Sequence, residues 1–348
     1  MVKVTASAPG KLVLIGEYAV LEGAPALVMA VDRRVRVSLR PGREDCISVS
    51  APGLVERGGR FRVDASGPHW LAGNAEDFRL VTHIAASLAA DGGWPGGGLE
   101  MTLDSSELIE QVDGAARKLG LGSSAALTVA LCLALGYYGA SHQQGDALPA
   151  LETLVNIHAG FQGRRGSGLD VAASLLGGVI EYSRAGPPVA VPGKIPDDVA
   201  MVFVWSGREA STGGFLAGVD EWRRHHPSQY RRRMATLADL ASAAVVAGRG
   251  NDAEEFLGCL DDYATALESL GRESGLDIVS APHRRLRALA RRCGVVYKPC
   301  GAGGGDIGIG VCRDREALAG FRSALAPADF QPLSLNIERE GATARTEY

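Results

Sequence analysis

The run from Lys118 to Leu131, KLGLGSSAALTVAL, puts two glycines and two adjacent serines directly before an apolar stretch with helical spacing. Glycines let the backbone come close to a ligand, the free N–H groups of a first helical turn point outward, and the helix dipole favours negative charge. Gly120, Gly122, Ser123, Ser124 and Ala125 therefore describe a phosphate cradle, with Lys118 as a nearby cation and one serine hydroxyl able to ligate Mg2+. The same residues also suit a plain serine cap on a packed helix. The pattern is neither GxGxxG nor the Walker loop, so the two common nucleotide loops are excluded.

Three more segments carry chemical groups in suggestive places. In SAPGKLVLIGEYAVLEGAPAL, Ser7 to Leu27, a Pro-Gly turn delivers Lys11 to the start of a strand that ends at Glu17 and Tyr18. A lysine at a strand mouth can stabilise charge on a transferring oxygen, or it can be a solvated hairpin residue. In QGRRGSGLDVAASLLGG, Gln162 to Gly178, Asp170 begins a helix behind a glycine loop that carries Arg164, Arg165 and Ser167. Such an Asp caps a helix or acts as a base or orienting group, and guanidinium forks match phosphate oxygens. In YKPCGAGGGDIGIGV, Tyr297 to Val311, the glycine density around Gly301, Ala302 and Gly303 implies close backbone approach.

The elements that must hold these segments follow from periodicity. Residues 2–39 read as β structure, ending in alternation at Val31, Arg33, Val35, Val37 and Leu39. A helix follows Asn74, a strand covers Leu99 to Leu103, and helices cover Ser123 to Tyr138, Leu148 to Ala159 and Asp170 to Leu176 before a strand at Val179 to Tyr182. The proline-rich stretch Arg184 to Asp198 is the expected boundary. Beyond it come a strand at Val199 to Trp205, helical patterns over about 213–224, 228–247, 252–270 and 277–292, strands at Val295 to Tyr297, Ile307 to Val311 and Leu333 to Ile337, and a helix at Arg315 to Leu325. The class is α+β.

Composition narrows the function classes. With 46% hydrophobic and 22% charged residues the chain is globular, and 348 residues suit two domains at about 150 residues each. A net charge of −4 offers no footprint for nucleic acid or an anionic membrane. The basic run WRRHHPSQYRRR, Trp222 to Arg233, is read as a solvated helical surface. Six cysteines show no zinc or disulfide spacing, and His69, His83, His142, His158 and His283 show no ligand spacing, so these histidines are expected to be structural or superficial. With no signal peptide or membrane-length apolar run evident, a cytoplasmic location is expected.

In this order, PGKLVLIGEYAV, GLGSSAA and GAGGGD resemble the GHMP kinase superfamily, which includes galactokinase, homoserine kinase, mevalonate kinase and phosphomevalonate kinase. The resemblance runs from Ser7 to Val311 and implies a two-domain α+β GHMP kinase fold, an N-terminal domain (1–195) similar to ribosomal protein S5 domain 2 and a ferredoxin-like C-terminal domain (196–348). It implies ATP and Mg2+ in the cleft between them. Lys11 and Asp170 would then be catalytic. Lys118, Gly120, Gly122, Ser123, Ser124 and Ala125 would bind ATP, with Ser124 on the metal. Glu17, Tyr18, Arg164, Arg165, Ser167, Gly301, Ala302 and Gly303 would meet the second substrate.

Within the superfamily the motifs are most similar to phosphomevalonate kinases, through GEYAVLEG, QGRRGSGLDVAAS, WSGREAST and GAGGGDIGI with Asp306. Mevalonate kinases usually have His at the place of Tyr18, Gly at that of Asp306 and a metal-binding Glu shortly before the catalytic Asp; here no acidic residue lies between Glu152 and Asp170. The expected reaction is ATP-dependent phosphorylation of 5-phosphomevalonate. The alternatives are a kinase of mevalonate or another small alcohol, and a non-catalytic sensor, which could lose Lys11 or Asp170; both are present.

Overall fold

Two long strands, β1 (Lys3–Ile15) and β2 (Ala26–Pro41), pair antiparallel and form the spine on which the rest is assembled. Val31, Val35, Val37 and Leu39 are fully buried while Asp32, Arg36 and Arg40 face water, the alternation of a sheet with one covered face. The computed structural model describes residues 3–42, 45–112, 115–140, 149–163, 166–210 and 212–347. No turn interrupts the chain before Lys11. Pro9 and Gly10 lie inside β1 at a register shift against β2 whose extra residues, Asp32 and Arg33, belong to β2, so Lys11 sits in mid-strand just past a bulge, paired with Ala30.

The first region continues through β3 (Ile47–Ser50), β4 (Gly59–Asp64), β5 (Gly67–Ala72), β6 (Leu99–Asp104), the hairpin β7 (Ile109–Val112) and β8 (Ala115–Lys118), then β9 (Val179–Ser183) and β10 (Val189–Pro192). The main sheet runs β10-β9-β2-β6-β3-β4-β5, with β1 on the other edge of β2. Four helices, α1 (Arg79–Ala90), α2 (Ser123–Ala140), α3 (Leu151–Phe161) and α4 (Leu169–Leu176), accompany it. α2 is apolar almost all round and buries Ala125, Ala126, Val129, Ala130, Leu131 and Leu133, as a central helix must. Its packing on β1, β2 and α4 fixes where its N-terminus points.

The second region holds β11 (Ala200–Trp205), α5 (Thr212–His225), α6 (Pro227–Gly250), α7 (Ala253–Ser274), α8 (Ala281–Arg292), β12 (Val296–Pro299), β13 (Ile307–Cys312), α9 (Arg315–Leu325) and β14 (Gln331–Leu333). Its sheet, β12-β13-β11-β14, is antiparallel and has its own core of Val202, Val204, Leu286, Tyr297, Phe321 and Leu325. The arginines of the Trp222 to Arg233 run are largely exposed, but Trp222 and Tyr230 are buried against each other, edge to face at 6.0 Å, and offer no stacking platform.

Three expectations need correction. The proline-rich stretch is not all linker, because β10 lies within it and pairs with β9. The strand expected at Leu333 to Ile337 ends at Leu333, since the chain then crosses back: Asp32 N donates to Asn336 O and Ile337 bridges Val31. Finally, β15 (Thr343–Glu347) pairs with Lys3 to Ser7, so the tail joins the first sheet. We propose a domain division near residue 195 with this tail returning to the first unit. Among the described residues no helix is long and apolar enough to cross a membrane.

Candidate active site

The loop before α2 is tied to β1 by its backbone, with Lys11 N donating to Leu121 O at 2.9 Å. Gly122 has φ +75°, and a Cβ there would lie 2.9 Å from Lys11 Cε, so the lysine stem runs across a surface that only glycine leaves open. Gly120 does the same on the other flank, with φ +76° and the Asp306 carboxyl 2.4 Å from where a Cβ would stand. The loop is thus pressed between a cation from the first region and a carboxyl from the second.

These groups line one cleft of about 580 Å³ between the two sheets' regions. It brings together Lys11, Glu17, Tyr18, Lys118, Gly120, Gly122, Ser123, Ser124, Ser167, Asp170, Gly301 and Ala302 of the residues singled out in the sequence, and Asp306 with them. Two expected members fall outside it. Ala125 is fully buried because the first turn of α2 rotates its methyl into the core, and Gly303 is buried against Ile278. Arg164 and Arg165 lie outside the described residues, although their neighbour Gly166 lines the cleft.

Contacts from both regions build the walls. Tyr18, at φ 63°, is held in a conformation costly for a bulky residue, and its hydroxyl donates to Ala302 O at 2.5 Å. Burial, then the neighbouring Glu17 carboxylate, pushes its phenol far above the usual range. The Lys118 backbone N–H donates to Glu209 Oε1 at 2.9 Å, leaving the side chain exposed at the cleft. Ala210 N donates to Asp306 Oδ1 at 3.0 Å. Burial raises the Asp306 carboxyl to about 6, with the Ala210 N–H and Lys11 opposing that rise and Glu209 adding to it. The Ser167 carbonyl accepts from Tyr182 Oη at 2.6 Å, which fixes the approach to α4.

Two residues that sequence reasoning missed organise the site. His158, on α3, is 1% exposed; its Nε2 lies 3.0 Å from Ser124 Oγ and its Nδ1 3.8 Å from Asp170 Oδ1. Lys298, on β12, is fully buried and pairs with Glu17. Lys11, by contrast, forms no salt bridge among the described residues, and Asp170 does not reach it. The cleft therefore offers a lysine outside any salt bridge among the described residues, a helix N-terminus, serine hydroxyls and glycine-loop N–H groups, a set that suits a polyphosphate.

Residues 79–178 match the family described as GHMP kinases N terminal domain. The chain is 31% identical over 342 residues to the mevalonate kinase of Aeropyrum pernix, covering 97% of each protein. It is 28% identical over 369 residues to the phosphomevalonate kinase of a Streptomyces species, covering 96% of this chain and 97% of that one. The fold is similar to that of Streptococcus pneumoniae phosphomevalonate kinase in complex with phosphomevalonate and AMPPNP, with a TM-score of 0.74 at 17% identity over 96% of this chain and 99% of that chain. Family match, relatives and architecture agree: this chain belongs to the GHMP kinases.

Proposed function

We propose that the protein is an ATP-dependent kinase of the mevalonate pathway of isoprenoid biosynthesis, converting 5-phosphomevalonate to 5-diphosphomevalonate. The observation that carries this reading is the placement of charge. Lys11 lies along Gly122 with no salt bridge among the described residues and only the Asp306 carboxyl acting on it from across the loop, while the Asp170 carboxylate sits beside His158. An alcohol must lose a proton as it attacks the γ-phosphate, and a kinase for it profits from a base held against the lysine. A phosphomonoester, with a second pKa of about 6, is mostly dianionic at neutral pH and needs no base. One of its oxygens bonds to the γ-phosphorus while the bond to the β-phosphate oxygen breaks, and the electron pair leaves with ADP. What the protein must then supply is positive charge and alignment. In this reading Lys11, Lys118 and the N–H groups from Gly120 to Ala125 hold the nucleotide phosphates, and Ala125 contributes through its backbone alone.

Mg2+ fits the donors present. Ser124 Oγ and the Asp170 carboxylate offer oxygen ligands at the cleft. Among the described residues no group of three or more His, Cys, Asp or Glu could hold a metal, which suits an ion that keeps its waters and is held mainly by phosphates. Bound with the nucleotide, it would neutralise charge developing on the phosphates. The same proposal places the protein in the cytoplasm, where its cysteines would stay as thiols.

A second reading, mevalonate as acceptor, is supported by the name of the Aeropyrum relative and by Asp170 as a carboxylate within the cleft. Assays with ATP and each acceptor in parallel, following ADP release and the phosphorylated product, separate the two. Turnover of mevalonate at equal or better efficiency would replace the first reading with the second and leave the kinase assignment intact.

A further inference from the structure

His158 stands between two groups of the site without facing the cleft itself. Its ring is 1% exposed, so no bulk water competes for either nitrogen. Nδ1 lies 3.8 Å from the Asp170 carboxylate and Nε2 lies 3.0 Å from the Ser124 hydroxyl. An imidazole nitrogen facing an anionic acceptor carries the hydrogen, because a lone pair there would be repelled. In a neutral ring the other nitrogen then carries the lone pair, so the carboxylate charge on one side sets the tautomer seen by the other. The Ser124 hydroxyl must consequently donate to Nε2.

We infer that His158 is a positioning residue that takes the Ser124 hydroxyl hydrogen and turns the remaining Oγ lone pairs toward the cleft, making Ser124 an acceptor that suits a cation rather than a donor to phosphate. Ser123, next along the same turn, has no side-chain partner among the described residues and keeps its hydroxyl hydrogen for a phosphate oxygen. The two adjacent serines thus divide the work: one offers hydrogen, the other lone pairs. This rests on the proposal that a nucleotide occupies the cleft.

Calorimetric binding of AMPPNP to the full chain, with Mg2+ and with EDTA, tests it alongside KM for phosphomevalonate. His158→Gln keeps a carbonyl oxygen at the reach of Nε2, whereas His158→Asn reaches only as far as Nδ1. The expected result is that Asn lowers the Mg2+-dependent tightening of AMPPNP about tenfold, Gln keeps it within about threefold of wild type, and neither moves metal-free affinity or KM for phosphomevalonate by more than about twofold. Equal behaviour of the two variants, or parallel loss of metal-free and Mg2+-dependent binding, overturns the inference. Ser124→Ala tests it without touching His158: it should abolish the Mg2+-dependent tightening and spare metal-free binding, whereas a loss of about tenfold in metal-free affinity would make Ser124 a phosphate donor and overturn the inference. Wild-type protein that binds AMPPNP under neither condition would instead remove the functional proposal beneath it.

Discussion

Lys298 Nζ lies 2.5 Å from Glu17 Oε1 with both side chains out of solvent, joining the end of β1 to the sheet of the second region. Nζ also donates to Pro299 O at 2.8 Å and sits 5.9 Å from the Tyr263 ring centre, while Tyr263 Oη donates to Glu17 O at 2.6 Å. Gly301 N approaches the same Glu17 oxygen at 3.3 Å, so the glycine loop after β12 is registered against the residue preceding Tyr18. Glu17 Oε2 is buried without a partner among the described residues.

Removing one member of a buried ion pair leaves an uncompensated charge, a loss of about 3–5 kcal/mol, whereas removing both is far milder. Lys298→Met should therefore lower the urea midpoint strongly, and adding Glu17→Gln should recover much of it. A Lys298→Met protein as stable as wild type would show that the pair does not hold the two regions in register.

Lys11→Ala and Ser124→Ala should each cut kcat by about a hundredfold or more, since in the proposed reading each removes a group directed at the transferring phosphoryl or its metal. Gly122→Ala should follow Lys11→Ala in kcat, because the new Cβ would stand 2.9 Å from Lys11 Cε at a φ of +75°. Steady-state assays on folded variants check this. A Gly122→Ala enzyme with normal turnover would mean that the lysine does not need its present path.

Much of this site can be read locally and some of it cannot. The start of α2 at Ser123, the span of α9 from Arg315 to Leu325 and the glycine loops follow from residue type and spacing within a few turns. Strands β4, β5 and β10 sit in local hairpins but are short and mostly half-exposed, so they carry little periodic signal, whereas β3 depends on β6 some fifty residues on and β15 pairs with β1 across nearly the whole sequence. His158 has no local signature, since Ser124 lies 34 residues upstream. Lys298 left one faint trace: only five lysines stand among 36 basic residues, and one of those five sits in an otherwise apolar strand.

Asp306 gives a pH signature. Its carboxyl is raised to about 6 by burial from the ordinary 3.8, so between those values the folded protein holds a proton that the unfolded chain has lost. The contribution is fully present below about pH 4 and is lost as pH rises through about 6. Asp306→Asn cannot ionise, can still accept from Ala210 N, and tolerates the φ of +56° well. The melting temperature of the variant relative to wild type should thus rise between pH 4 and pH 6.5 and then level off. A constant difference across that range would show that Asp306 titrates normally.

Arg164 and Arg165 supply the test of the acceptor's charge. They lie outside the described residues, between Gly163 and the cleft-lining Gly166, and the acceptor proposed here differs from mevalonate by a phosphate dianion. An enzyme choosing it needs cations that an alcohol kinase does not, and Lys11 and Lys118 are already committed to the nucleotide in this reading. Losing one charge-assisted contact to phosphate costs about 1.5–3 kcal/mol, roughly ten- to a hundredfold in affinity. Arg164→Ala or Arg165→Ala should therefore raise KM for phosphomevalonate by that factor and leave KM for ATP nearly unchanged. Added salt should weaken acceptor binding more in wild type than in the affected variant, because the screened interaction is the one removed. Unchanged KM for phosphomevalonate in both single variants would assign the dianion to Lys11, Lys118 or the Trp222 to Arg233 segment instead.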